Sequence, residues 1–141
     1  MKPAAAVIDT NVVVAGLITA QASSPTATIL DGMRRGTFPF LLSDRLLAEY
    51  REVLLRAKIR KLHGLAATDI DQILTEIATH AIVREPEART GAPDAKDNHL
   101  WSLLLDLPGS VLVTGDLALI RKPAPESGIL SPREFAAQLS R

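Results

Sequence analysis

A chain of 141 residues, 47% of them apolar, has room for one domain with a full hydrophobic core and is too short for two. Its 16 basic and 16 acidic residues cancel, so the net charge neither requires nor excludes nucleic acid as a partner, and the absence of cysteine excludes disulfides, thiolate metal sites and cysteine nucleophiles. Because aromatic residues make up only 4% of the chain, we expect residues 1–141 to form a single domain with a core of Ala, Val, Ile and Leu.

The chain begins with an apolar stretch, residues 3–8, that has a faint likeness to a signal peptide. The stretch is too short for the apolar region of such a peptide, and Asp9 interrupts it. The sequence contains no run of about 18 apolar residues, which a transmembrane helix requires. We therefore expect a cytoplasmic protein that does not contact a membrane.

Short apolar runs bounded by turn residues predict buried strands, and they alternate with segments in which apolar residues recur at helical spacing. The predicted strands cover residues 4–8, 38–42, 81–83, 111–113 and 129–130. The first predicted helix covers residues 11–18, and the second runs from a Ser24 cap to a stop at Gly36. The third runs from a Ser43 cap through Leu54, and the fourth from a Thr68 cap through Ile77. The fifth begins at Asp94 or Asp97 and ends before Pro108, and the last runs from a Ser131 capping box to Leu139. Residues 85–93 are predicted to form a loop. This alternation predicts an α/β fold with three layers, α/β/α, around a central parallel sheet of four to five strands.

Acidic residues occupy the positions where such a fold binds ligands, which is beyond the carboxyl ends of the strands. Asp9 directly follows the first predicted strand, and Asp116 closely follows the fourth. Asp97 begins a helix, where the helix dipole favours an anion. Glu49 lies among apolar helix neighbours, so we expect it near the edge of the buried face.

Four carboxylates brought together repel one another unless a cation is present. Mg²⁺ and Mn²⁺ prefer oxygen ligands, and one ion or two would activate water for attack on a phosphate. Each acid also has an ordinary structural interpretation: Asp9 and Asp97 as helix caps, Asp116 as a turn residue and Glu49 as a solvated helix residue. The combined order of the four acids, rather than any single one, favours a metal site.

That order resembles the PIN-domain nucleases, and most closely their VapC-like branch, the toxin components of bacterial type II toxin–antitoxin systems. The resemblance rests on four segments within residues 7–116: Val7-Ile8-Asp9-Thr10-Asn11-Val12, Leu47-Ala48-Glu49-Tyr50 with Val53-Leu54, Asp94-Ala95-Lys96-Asp97-Asn98, and Val113-Thr114-Gly115-Asp116. It implies a PIN-like fold, cleavage of single-stranded RNA and a site for Mg²⁺ or Mn²⁺.

The same resemblance implies the roles of individual residues. The implied metal ligands and catalytic residues are Asp9, Glu49, Asp97 and Asp116. The implied supporting residues are Thr10, Asn11, Asp94 and Thr114. The sequence departs from the family at Leu119, where relatives often carry another acid three residues after the last Asp. This departure weakens the case for a second metal ion and leaves the fold prediction unchanged.

Basic residues in the middle of the chain are candidates for contacts with RNA phosphates, the alternative being a solvated helix end. They are Arg51, Arg56, Lys58, Arg60 and Lys61, and the same two interpretations apply to Arg34 and Arg35. The three histidines, His63, His80 and His99, show no metal-ligand spacing, so we expect them on the surface or in the core. Trp101 lies on an apolar helix stripe and is predicted to be a core residue.

The leading hypothesis is an endoribonuclease toxin that an antitoxin protein holds inactive. We expect a homodimer, both from the resemblance and from the many Leu, Ile and Val residues on the predicted helices. Two alternatives remain: a non-catalytic RNA- or partner-binding module on the same fold, which Leu119 favours, and a housekeeping RNA-processing nuclease.

Overall fold

The computed structural model describes residues 3–140, in which short strands alternate with helices. In chain order the elements are β1 (Ala6–Ile8), α1 (Thr10–Ile18), α2 (Pro25–Arg35), β2 (Leu41–Leu42), α3 (Asp44–Leu54), α4 (Ala57–His63), α5 (Ala67–His80), β3 (Ile82–Val83), a 3-10 helix (Ala95–Asp97), α6 (Asn98–Asp106), β4 (Val111–Val113), α7 (Leu117–Arg121), β5 (Gly128–Leu130) and α8 (Pro132–Leu139). The predicted α/β class is confirmed, since a parallel sheet lies between helices.

The sheet is parallel, and its central strands end at the same level. Three strands pair in the order β1-β4-β5, with Ile8 beside Val113 and Val113 beside Leu130. Because Ile8 and Val113 are the last residues of their strands, the residues that follow them, Asp9 and Thr114, leave the sheet side by side. This register places the two chain segments next to each other at the carboxyl edge.

All five predicted strands are present, but they do not form one continuous ladder. β2 and β3 make a separate parallel pair, which a single bridge between Ala6 and Phe40 joins to β1. At this bridge the Ala6 N–H donates to the Pro39 carbonyl at 3.0 Å. The continuous sheet has three strands rather than the expected four to five.

Three predicted helix starts are confirmed by side-chain caps. The hydroxyls of Ser24, Ser43 and Ser131 accept from the backbone N–H three residues further on. The Glu134 carboxylate accepts a hydrogen bond from the Ser131 backbone N–H and completes the capping box at α8. α2 also ends as predicted, at Gly36, whose φ of 71° lies in the left-handed region that favours glycine.

Three helix assignments need correction. Thr68 is not a cap, because α5 begins at Ala67 and the Asp69 carboxylate accepts from the Ala66 backbone to close the first turn. The helices α4 and α7 were not predicted. Both are short, with seven and five residues, so neither shows a full helical repeat of apolar residues.

The core lies around the central strands. β1 and β4 are buried along their whole length, and α6 contacts both of them. Trp101 on α6 is 6% exposed, which confirms the prediction that it is a core residue. The longest helix in residues 3–140, α5, has 14 residues, and no helix in that part of the chain is long and apolar enough to cross a membrane.

Tyr50 links α3 to the end of β1. Its side chain is fully buried, and its hydroxyl donates a 2.5 Å hydrogen bond to the carbonyl of Ile8, the residue before Asp9. Since Glu49 precedes Tyr50, one buried contact sets the position of α3 relative to the strand end.

Replacing Tyr50 by Phe is expected to lower the free energy of unfolding by about 1–3 kcal/mol, because the Tyr50→Phe change keeps the ring and leaves a buried carbonyl without this donor. Urea denaturation would measure the loss. A denaturation midpoint equal to that of the unmodified protein would show that the hydroxyl does not fix α3 to β1.

Candidate functional site

Asp9 is a buried carboxylate at the carboxyl end of β1, with only 7% of its surface exposed. Oδ1 accepts from the Thr10 backbone N–H at 2.8 Å, so Asp9 does cap α1, as its ordinary interpretation predicted. Oδ2 accepts from the Thr114 hydroxyl at 2.8 Å and from the Asn11 amide at 3.2 Å. Burial raises the pKa of Asp9, with smaller contributions from the charges of Glu49 and Asp116, while the bonds from Thr114 and Thr10 oppose the rise.

Thr114 joins the two strand ends. Its side chain is fully buried after β4, donates to Asp9 and accepts from the Asp116 backbone N–H at 2.9 Å. Asn11 approaches the same hydroxyl at 3.4 Å and accepts from the Gly115 N–H at 3.3 Å. One hydroxyl thus contacts the segments that carry both Asp9 and Asp116.

Glu49 reaches this group from α3. Oε2 accepts a short hydrogen bond from the Thr10 hydroxyl, and Oε1 lies 3.4 Å from Nε2 of His99. The contacts with His99 and Thr10 hold the pKa of Glu49 below its ordinary value, against the opposing effect of burial.

His99 was assigned by sequence to the surface or the core, and its side chain is indeed buried, with 11% exposed. Its Nδ1 atom has no hydrogen-bond partner within residues 3–140. The contact with Glu49 had no sequence signal, because the two residues lie 50 positions apart on different helices. Only packing of α6 against α3 brings them together.

Asp97 and Asp116 complete the acidic group. Asp97 lies at the junction of the 3-10 helix and α6, and its side chain makes no capping bond there. Burial raises the pKa of Asp97, and the charges of four acids, Asp9 first, raise it further. Asp116 caps α7, since Oδ1 accepts from the Ala118 N–H at 2.9 Å.

These four acids line one open cleft of about 830 Å³ beyond the sheet edge. Asp94 does not line it; its carboxylate is exposed and caps the 3-10 helix by accepting from the Lys96 N–H. Among the other residues expected to support the site, Thr10 and Asn11 line the cleft and Thr114 lies beneath it against Asp9.

The basic residues expected to contact RNA do not stay together in space. Arg56 lines the cleft and pairs with Glu52 at 3.0 Å. Arg51 lies outside the cleft and pairs with Asp71 at 2.8 Å. The remaining three lie on α4, away from the cleft: Lys58, Arg60 and Lys61.

Two cations at the cleft were not singled out by sequence. Arg45 lies one turn before Glu49 on α3, and Lys96 directly precedes Asp97. For Arg45 the spacing to Glu49 was the available signal, because residues four apart on a helix share a face. In contrast, Arg34 and Arg35 form ion pairs with Glu76 and Asp31 and do not line the cleft.

The donor chemistry of the cleft suits a hard divalent cation. All four acids supply carboxylate oxygens, and several of them raise one another's pKa, which is the repulsion that a cation relieves. Within residues 3–140, however, no three His, Asp or Glu side chains are grouped so that they could hold a metal ion as they stand. An ion that keeps several waters needs only one or two of these carboxylates as direct ligands.

Leu119, which stands where relatives often have an acid, is a core residue on α7 with 1% exposure. An acid there would enter the core rather than the cleft in this arrangement. The cleft acids of residues 3–140 are therefore the four predicted ones together with Glu52.

Fold and cleft together define an α/β protein with an acidic site at the carboxyl edge of a parallel sheet. A family model described as PIN domain matches residues 5–118, which include all four predicted acids, and the chain belongs to this family. PIN domains are generally nucleases that act on nucleic acid, and they typically use divalent metal ions. The same comparisons find no significant match among curated proteins or among solved structures.

In metal-free protein, Asp97→Asn is expected to raise the free energy of unfolding at neutral pH. The folded chain raises the pKa of Asp97 above its ordinary value of 3.8, so ionisation weakens the folded state as the pH rises through the raised pKa. Asn carries no charge to lose this way, and the gain should disappear below pH 3.8. Denaturation in EDTA at a series of pH values measures it.

Asp71→Asn is the control of opposite sign. The Arg51 guanidinium lowers the pKa of the exposed Asp71 carboxyl, so this variant should be less stable than the unmodified protein at neutral pH. The difference should disappear as the pH falls through the lowered pKa, because the unmodified protein then loses the contribution of its carboxylate. If both variants shifted stability in the same direction, the opposite pKa shifts of Asp97 and Asp71 would not be the cause.

Proposed function

We propose that the chain is a divalent-metal-dependent endoribonuclease that cleaves single-stranded RNA. The observation that carries the proposal is the convergence of Asp9, Glu49, Asp97 and Asp116 on one cleft at the carboxyl edge of the sheet, in a chain of the PIN-domain family. These four residues would hold one Mg²⁺ or Mn²⁺ ion, or two. A bound ion would supply Lewis-acid chemistry: it neutralises carboxylate and phosphate charge and activates water for attack on phosphorus.

The protein's own groups orient the carboxylates for this task. Thr114, Asn11 and the Thr10 backbone fix both oxygens of Asp9, and the Thr10 hydroxyl fixes one oxygen of Glu49. A carboxylate held by donors needs less reorganisation when it acts on a ligand. We assign supporting roles to Thr10, Asn11 and Thr114 on these contacts, and to Asp94 a more distant one through its charge on Asp97.

The finer biological role is also part of the proposal. We infer the toxin of a cytoplasmic toxin–antitoxin pair, on the resemblance of residues 7–116 to VapC-like proteins, with an antitoxin protein that covers the acidic cleft. A homodimer is supported by exposed apolar side chains on α4 and β3, where Leu62 is 61% and Val83 is 56% exposed. An antitoxin gene overlapping or adjoining this one would distinguish the toxin from a housekeeping RNA processor.

Addition of Mn²⁺ is expected to raise the melting temperature, because the ion relieves carboxylate repulsion in the folded state alone. At 100 times the dissociation constant the stabilisation would be about 2.7 kcal/mol. Calorimetric titration of Glu49→Gln should give weaker Mn²⁺ binding than that of the unmodified protein. An unchanged melting temperature in millimolar Mn²⁺ would contradict the metal site. Equal Mn²⁺ affinity in Glu49→Gln and the unmodified protein would show that Glu49 is not a ligand.

Asp9→Asn is expected to abolish cleavage of single-stranded RNA while leaving the protein folded. Asn caps helices about as well as Asp, so α1 should persist. Loss of one ligand charge should reduce the rate at least about a hundredfold, or about 3 kcal/mol of transition-state stabilisation. Cleavage of an unstructured oligoribonucleotide in Mn²⁺ measures the rate, and circular dichroism checks the fold.

The matched control is Asp71→Asn, the same change at an exposed, ion-paired acid outside the cleft. It should cleave at the normal rate. Cleavage by folded Asp9→Asn at the rate of the unmodified protein would contradict the proposed nuclease. If neither the unmodified protein nor Asp71→Asn cleaved RNA while both still bound it, the non-catalytic RNA-binding module would be favoured.

A further inference from the structure

The cleft has two chemically different walls. We define the α1 wall as Val14, Ala15 and Ile18, which are all uncharged, and the α3 wall as Arg45, Glu49, Glu52, Val53 and Arg56, in which four of the five residues are charged. α1 carries no charged residue in its nine positions. Val14 and Ile18 lie one helical turn apart on the same face and are partly exposed, so the α1 wall offers an uncharged aliphatic surface beside the acids.

The α3 wall carries cations on either side of Glu49. Arg45 lies four residues before Glu49, or about 6 Å along the helix axis, and Arg56 follows the end of α3. Glu52 already pairs with Arg56, whereas Arg45 is exposed and makes no ion pair within residues 3–140. Lys96, next to Asp97, adds a third cation to the cleft, and its Nζ atom forms an exposed ion pair with Asp94 at 3.7 Å.

The two walls suit different parts of a nucleotide, the phosphate and the base. Five carboxylates and three cations line the cleft, so a polyanion gains electrostatic attraction at Arg45, Arg56 and Lys96 rather than over the acids. The α1 wall has no charge to attract phosphate, but it can cover the apolar face of a base. A base face is accessible in a single strand and is hidden by stacking in a duplex.

We propose that the cleft binds a single RNA strand in one orientation, with its phosphates along Arg45 and Lys96 and its bases against Val14 and Ile18. This assignment deepens the proposed function and rests on it for the identity of the substrate. Among the described residues that line the cleft there is no aromatic side chain, so the base contacts are aliphatic and discriminate little between sequences. The α3 wall would set affinity for the backbone, and the α1 wall would set the preference for unpaired bases.

The test is a binding cycle between two protein changes and two strands. The strands are a short single-stranded oligouridylate and the same ribose-phosphate backbone with abasic residues. Fluorescence anisotropy measures the binding of each strand without added divalent metal, so that cleavage does not interfere. The changes are Arg45→Gln and the double variant Val14→Thr with Ile18→Thr, which keeps the branched β-carbons and replaces aliphatic surface by hydroxyl groups. Circular dichroism and melting confirm that both variants fold.

Arg45→Gln should weaken binding of both strands by the same factor, about 3- to 10-fold, and lower the salt slope by about one. The double threonine variant should weaken binding of the oligouridylate about 3- to 10-fold, leave the abasic strand unchanged and keep the salt slope. Matched controls away from the cleft are Arg133→Gln on α8 and Ile129→Thr on β5, which should leave both affinities unchanged.

Several results would overturn the orientation. One is a threonine variant that loses as much affinity for the abasic strand as for the oligouridylate. A second is a loss of affinity in Arg45→Gln that is no larger than that in Arg133→Gln. A third is duplex RNA that binds as tightly as the single strand. Failure of the proposed function has a different signature: the cycle gives the expected couplings, but the unmodified protein does not cleave the oligouridylate in Mn²⁺.

Discussion

The hydrogen bond from the Thr114 hydroxyl to the Asp9 carboxylate joins the ends of two neighbouring parallel strands, and the cleft is built around it. A buried carboxylate such as that of Asp9 carries a large desolvation cost unless donors replace its water. Asp9 receives three donors, from the Thr10 backbone, Asn11 and Thr114, and these come from both strand ends. The three donors meet at Asp9 because β1 and β4 end in register.

The second carboxylate depends on the first. Thr10, whose N–H is held by Asp9, uses its hydroxyl to hold Glu49, while the neighbouring Tyr50 bonds to the carbonyl of Ile8. α3 is thus fixed to the end of β1 through two adjacent residues. A small displacement of α3 would disturb the position of Glu49 and the support of Asp9 together, which couples packing in the core to the geometry of the cleft.

The charged side chains are unevenly distributed around the cleft. Burial raises the pKa values of Asp9 and Asp97, and the charges of neighbouring acids raise them further, while the pKa of Glu49 is lowered by its contact with His99. Free energy stored as repulsion is released when a cation binds, which fits a family whose nucleases typically use divalent metals. The cations lie on α3 and beside Asp97, and α1 carries none, so a bound polyanion would experience an asymmetric surface.

The sequence by itself determined the features that depend on local chemistry. Alternating apolar runs and serine caps predicted the strands and the starts of α2, α3 and α8, and the order of the acids indicated the family. Tertiary structure alone decided which distant residues meet: His99 with Glu49, Tyr50 with Ile8, and Arg51 with Asp71 instead of the cleft. It also decided that β2 and β3 pair separately from the central strands and that Leu119 enters the core. Periodicity and capping record the interactions of a residue with its near neighbours, whereas the packing angle between two helices depends on side chains throughout the core, and no local pattern contains it.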